Sequence, residues 1–174
     1  MSKPLKTTNL TSLKDQLEEE YSLFKKENVT PTEVELVKEI RKIFTDSHGD
    51  FNAKTIEDLI LIRENLSRNT ESLGEIIATH EMHCDYSYIW RKGKYAEDWL
   101  PMKSKLAEDL GKATTQDIDS KLTSALLQTQ LYSMFHRRRA DYLLRKVEAS
   151  DRYIRTIDHR IAELRRQFLN NENG

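Results

Sequence analysis

From Thr115 to Phe168 the chain runs more than fifty residues without a Gly or Pro, and most of that run carries a seven-residue apolar repeat. Ala140, Val147, Ile154, Ile161 and Phe168 fall on one seam position, and Leu143, Ile157 and Leu164 fall on the other. Apolar residues recurring in this way mark one long helix with a stripe along one side. At about 1.5 Å per residue that helix is expected to be roughly 80 Å long. A rod of that length needs partner helices, from this chain or from copies of it. These eight residues are therefore read as an oligomer seam, and a homo-oligomer is expected.

Composition points the same way. Of 174 residues, 37% are hydrophobic and 33% charged, with 5 Gly and 3 Pro, which favours narrow apolar seams over a thick core. An all-α fold is expected. Residues 1–50 form an acidic region with two short helices. Residues 51–174 form a long antiparallel helical hairpin, or coiled-coil bundle, with a loop at 93–114.

Local signals place the elements. Leu10, Leu13, Leu17, Tyr21 and Phe24 recur at helical spacing, and this first helix is expected to stop near Asn28. Thr30-Pro31-Thr32-Glu33 offers an N-cap, a proline at the first helical position and a capping glutamate, followed by the stripe Val34, Val37, Ile40, Ile43 and Phe44. A third helix is expected from about residues 52–55, with Ile56, Leu59, Ile62, Leu66, Leu73, Ile76 and Ile77 on its seam and Asn69 as a polar residue within it. It is expected to break near Gly93, and Pro101 and Gly111 punctuate the segment that follows. Thr114 with Asp117 reads as the cap of the terminal helix.

Charge is unevenly distributed. Residues 1–85 hold 11 Lys and Arg against 17 Asp and Glu, while residues 86–174 hold 17 against 12. The basic half suits a polyanion or an acidic protein surface, and charged faces that keep long helices soluble explain it equally well. A single cysteine, Cys84, excludes an intrachain disulfide. No apolar run reaches membrane-spanning length and Met1-Ser2-Lys3-Pro4 opens no secretory signal, so a soluble cytoplasmic protein without membrane contact is expected.

Chemistry is concentrated in one segment. Tyr88, Trp90, Arg91, Lys92, Lys94, Tyr95 and Trp99 lie close together and include both tryptophans of the chain. Cations neutralise phosphates and flat rings stack on bases, which together bind single-stranded nucleic acid. The plainer alternative is that the rings close the end of a hairpin. Arg137, Arg138 and Arg139 form a second basic patch, suited to phosphate or to an acidic neighbour. His80, His83 and Cys84 invite a zinc reading, but the histidines are three apart, not four, and no further cysteine exists. His80 on the seam and Cys84 as a small buried thiol fit better, so neither metal nor cofactor is expected. No phosphate-binding glycine loop or recognisable nucleophile is present, and an enzyme is not expected.

The segments Leu73-Gly74-Glu75-Ile76-Ile77, Asp85-Tyr86-Ser87-Tyr88-Ile89-Trp90-Arg91-Lys92 and Lys121 to Phe168 resemble, over roughly the last hundred residues, the UvsY-type recombination mediators of tailed phages. The resemblance implies a ring-like homo-oligomer that binds single-stranded DNA and loads a recombinase. It implies phosphate contacts from Arg91, Lys92 and Lys94, stacking by Tyr88, Tyr95 and Trp99, and a secondary role for Arg137–Arg139. Residues 1–50 have no counterpart in it. The competing expectation is a coiled-coil structural or interaction protein, such as a phage assembly component, an adaptor or an inhibitor of a host protein, that binds no nucleic acid.

Overall fold

The computed structural model describes residue 19, residues 21–48 and residues 51–172, and the described residues hold no β-strand. Residues 21–28 are helical (α1). There follow α2 (Pro31–His48), a 3-10 turn (Phe51–Ala53), α3 (Ile56–Leu110), α4 (Thr115–Ala125) and α5 (Leu127–Glu172). The all-α expectation holds. The expected start of the first helix, with Leu10, Leu13 and Leu17, lies outside the described residues.

Two helix starts follow the sequence closely. At α3 the Thr55 N–H donates to the Asp58 carboxylate and the Asp58 N–H donates to the Thr55 hydroxyl, each at 3.2 Å. Thr114 and Asp117 make the same reciprocal pair at the start of α4. In both, two N–H groups that the first helical turn leaves unpaired gain an acceptor.

The expected loop at 93–114 is not a loop. Residues 93–110 belong to α3, with Pro101 inside the helix, and only residues 111–114 connect it to α4. Tyr95, Trp99, Met102 and Leu106 recur on one face of α3 and pack against Ile118 and Leu122 of α4. Burial of that stripe outweighs the helix-breaking tendency of Gly93 and Pro101. Gly111 at φ +72° ends the helix, a backbone conformation that glycine adopts without a Cβ clash. The uninterrupted terminal helix is likewise corrected: Leu126, at φ −98° and ψ 8°, separates α4 from α5. Backbone bonds from Leu126 to Leu122 and from Gln130 to Leu126 span the irregularity.

The chain divides into two compact units. One comprises Met1–Thr30 with His83–Phe135, and the other Pro31–Met82 with His136–Gly174. This is not the expected division at residue 50, because α2 shares a core with parts of α3 and α5.

In the second unit, Ile40 of α2, Leu59, Leu66, Leu73 and Ile77 of α3, and Ala140, Leu143, Ile157 and Ile161 of α5 form one core. Arg63 pairs with Asp158 at 2.9 Å while His80 meets His136, so the two long helices run antiparallel there. Tyr153 is flanked by Phe44 and Phe51, with ring centroids 5.3 and 5.8 Å away. The stripe expected to be an oligomer seam is thus covered within the chain. Ala140, Leu143, Ile157 and Ile161 are buried, Val147, Ile154 and Leu164 pack partly buried against them, and only Phe168 is exposed. The physical reason is α2, which gives the stripe a second covering helix beside α3.

In the first unit, α1 packs on the start of α5 through edge-on rings. Tyr21 meets Phe135 and Phe24 meets Tyr132, with centroids 5.4 and 5.6 Å apart. The Tyr132 hydroxyl donates to the Asn28 side-chain oxygen at 3.3 Å. The α3–α4 contact forms this unit's apolar cluster.

Candidate nucleic-acid interface

The aromatic and basic segment lies on α3 in the first unit. Successive helical residues turn by about 100°, so a cluster in sequence divides into faces. Tyr88, Arg91, Lys92 and Tyr95 fall on one face. Trp90 falls on nearly the opposite one, so one strand cannot use Trp90 and Tyr88 as adjacent stacking platforms on this helix.

Tyr88 is 46% exposed. The Lys92 ammonium lies 4.9 Å from its ring centroid and the Arg91 guanidinium carbon 5.9 Å. Lys92 holds the Tyr88 phenol below its ordinary value, through hydrogen bonding and charge. Arg91 and Lys92 also line an open cleft of about 270 Å³, with Tyr95 of α3, Thr123 of α4, Leu126 at the α4–α5 junction and Gln130 of α5. Two cations at the rim of a cleft, with an exposed ring beside them, can hold an anion and stack a flat group.

Other expected contact residues have structural engagements. Lys94 pairs with Glu97 at 3.1 Å and Asp98 at 3.2 Å, and the hydrogen bonds to these carboxylates raise its pKa. The Tyr95 hydroxyl donates to the Asp119 carboxylate, which raises the phenol's pKa. Trp99 is half-buried against the α3–α4 cluster, with the Lys103 ammonium 5.5 Å from its ring centroid. Arg137 and Arg138 are exposed on α5 in the second unit, while Arg139 binds the Glu33 carboxylate and lies over the Tyr142 ring at 4.9 Å.

Arg139 belongs to a buried polar cluster that sequence reasoning missed. Glu33 is fully buried, His80 is 3% and His136 1% exposed. Nδ1 of His80 lies 2.7 Å from Nδ1 of His136, and Nε2 of His80 lies 3.3 Å from Glu33 Oε2. Burial pushes the Glu33 carboxyl up. The His80 hydrogen bond and the Arg139 charge pull it down by more, so its pKa lies below the ordinary carboxylate value. Glu33, read from sequence as a helix-start residue, therefore also joins three helices. A signal existed: Glu33 is in phase with Val37 and Ile40, His80 with Leu73 and Ile77, and His136 with Ala140 and Leu143.

The expected trio His80, His83 and Cys84 has separate engagements. His80 faces His136, His83 Nδ1 lies 3.3 Å from the Tyr132 hydroxyl, and Cys84 Sγ lies 3.3 Å from the Ser133 hydroxyl. Among the described residues no group of three His, Cys, Asp or Glu side chains is placed to hold a metal ion. Among the described residues no helix is long and apolar enough to cross a membrane. Comparison with protein-family models, with curated proteins and with solved structures finds no match for this chain.

Proposed function

We propose that this chain is a non-enzymatic helical protein that binds single-stranded nucleic acid through Tyr88, Arg91 and Lys92. The observation that carries this reading is the exposed Tyr88 ring, flanked by two cations that also line the cleft. Phosphate binds Arg91 and Lys92, and an unpaired base stacks on Tyr88. The resemblance to UvsY-type mediators adds the wider setting. In it the protein acts in the cytoplasm as a phage recombination or replication accessory, associates with itself and recruits a recombinase.

Titration of a labelled oligothymidylate, followed by anisotropy at rising salt, tests the reading. Binding should weaken steeply with salt, and Arg91→Glu should both reduce affinity and flatten the salt slope by about one unit per lost phosphate contact. Absence of salt-dependent binding would exclude it. The second reading, a protein-interaction factor without nucleic-acid binding, is favoured by the exposed apolar side chains Tyr86, Ile89 and Leu100 on another face of α3. It predicts no oligonucleotide binding and an unaltered protein after Arg91→Glu.

A further inference from the structure

Between residues 83 and 110, α3 carries two apolar stripes. Tyr95, Trp99, Met102 and Leu106 face α4. The other stripe is Tyr86, Ile89, Gly93, Ala96 and Leu100, spaced three, four, three and four residues apart, and all five are exposed. Tyr86 is 64%, Ile89 65% and Leu100 67% exposed, with Trp90 beside them at 54%. A helix with two apolar faces, here about 120° apart, is built to be covered on both. This spacing suits one further helix packed along the seam, as in a coiled coil.

We propose that this stripe seats the same stripe of a second copy of the chain, with the two α3 helices antiparallel. In that arrangement Ile89 of one copy packs on Leu100 of the other, and Gly93 meets Ala96 at the centre, where small residues let the helices approach. Tyr86 then meets Lys103. Two-fold symmetry repeats each contact, as an isologous interface requires.

Charge selects the direction. A parallel pair sets Lys103 against its own copy. The antiparallel pair instead brings the Lys103 ammonium of one chain beside Asp85 of the other, which flanks the Tyr86 layer, and does so twice. Tyr86, Ile89, Trp90 and Leu100 expose on the order of 500 Å² per chain, so two copies reach about the 1,000 Å² total expected of a specific interface. No atom of the chain opposes the approach at Gly93, since a Cβ built there meets nothing within 4 Å. Tyr88 and Arg91 lie away from this stripe, while Lys92 flanks it one heptad on from Asp85, so the mass of the particle and not oligonucleotide binding decides the proposal.

Sedimentation equilibrium of the full chain tests it. Twice the chain mass is expected, and Ile89→Asp or Leu100→Asp should weaken association at least about tenfold while helical circular dichroism is unchanged. Asp85→Lys and Lys103→Asp should each weaken the dimer, and the double variant should restore it. A single-chain mass at every concentration would overturn the proposal. So would a dimer indifferent to Ile89→Asp and Leu100→Asp, or a charge swap that fails to restore association.

Discussion

Nδ1 of His80 and Nδ1 of His136 lie 2.7 Å apart in the core of the second unit, so one ring nitrogen carries a proton and the other accepts it. Glu33 accepts from Nε2 of His80 and from Arg139, and its negative charge offsets that guanidinium. The buried cluster therefore tolerates one proton between the facing Nδ1 atoms. A proton on each would set two donors against each other. The contact ties α2, α3 and α5 to one register, since a shift of any of the three separates a buried polar group from its partner.

Glu33→Gln should destabilise the protein by about 3 kcal/mol at neutral pH, the lower end for breaking a buried pair because Arg139 keeps some contact with solvent. The pH dependence has a fixed sign. The Glu33 carboxyl titrates below its ordinary value of 4.5 in the folded protein. Its contribution is complete above that value and is lost as pH falls through the lower folded value. Urea unfolding from pH 7 to pH 3 should show wild type losing stability in the acid range and Glu33→Gln losing less. Equal slopes for the two proteins would remove Glu33 from the account.

Leu143→Ala and Phe168→Ala separate the two ends of the α5 stripe. Leu143 is fully buried, and truncating it should cost about 2–5 kcal/mol. Phe168 is 63% exposed, and its truncation should stay within about 0.5 kcal/mol. Chemical denaturation measures both. If the stripe were instead covered chiefly by another chain, the loss in Leu143→Ala would depend strongly on protein concentration.

Pro101→Ala should stabilise the protein. Pro101 is exposed inside α3, lacks the N–H that an interior helical residue donates, and packs into neither apolar cluster. Proline in a helix interior is disfavoured by about 3 kcal/mol relative to alanine, so a gain of about 1–3 kcal/mol is expected if the backbone there relaxes to regular geometry. Thermal unfolding provides the measurement. A loss of stability would show that the proline fits a bend that the packing of Trp99 and Met102 requires.

The long seams were legible because a stripe such as Leu143, Ile157 and Leu164 depends only on spacing. What covers a seam was not, because that requires knowing that α2 lies against α3 and α5. The 93–114 segment hides its helix for a local reason. Gly93 and Pro101 signal a break, and the compensating stripe Tyr95, Trp99, Met102 and Leu106 has value only once Ile118 and Leu122 are packed on it. The buried cluster was half visible. Glu33, His80 and His136 each interrupt an apolar stripe in phase, but their meeting depends on the register of three helices. At the candidate interface, composition marked the segment. The α4 contact decided that Tyr95 and Trp99 serve packing while Tyr88 faces outward.

That last distinction predicts a ranking of variants in oligonucleotide binding. Tyr88→Ala removes an exposed ring and the surface over which Lys92 lies, so it should cost about 1 kcal/mol, the lower end for a stacking platform only half exposed. Lys94→Ala should change affinity by less than about twofold, because Glu97 and Asp98 already neutralise that ammonium. Tyr95→Phe should leave binding intact and lower stability modestly, since its hydroxyl serves the Asp119 contact between α3 and α4. Anisotropy titrations paired with urea unfolding resolve binding from folding for each variant. If Lys94→Ala or Tyr95→Phe weakens binding more than Tyr88→Ala, the strand does not lie on the Tyr88, Arg91 and Lys92 face. The contact surface must then be sought elsewhere in the chain, beginning with the exposed Arg137 and Arg138 of α5.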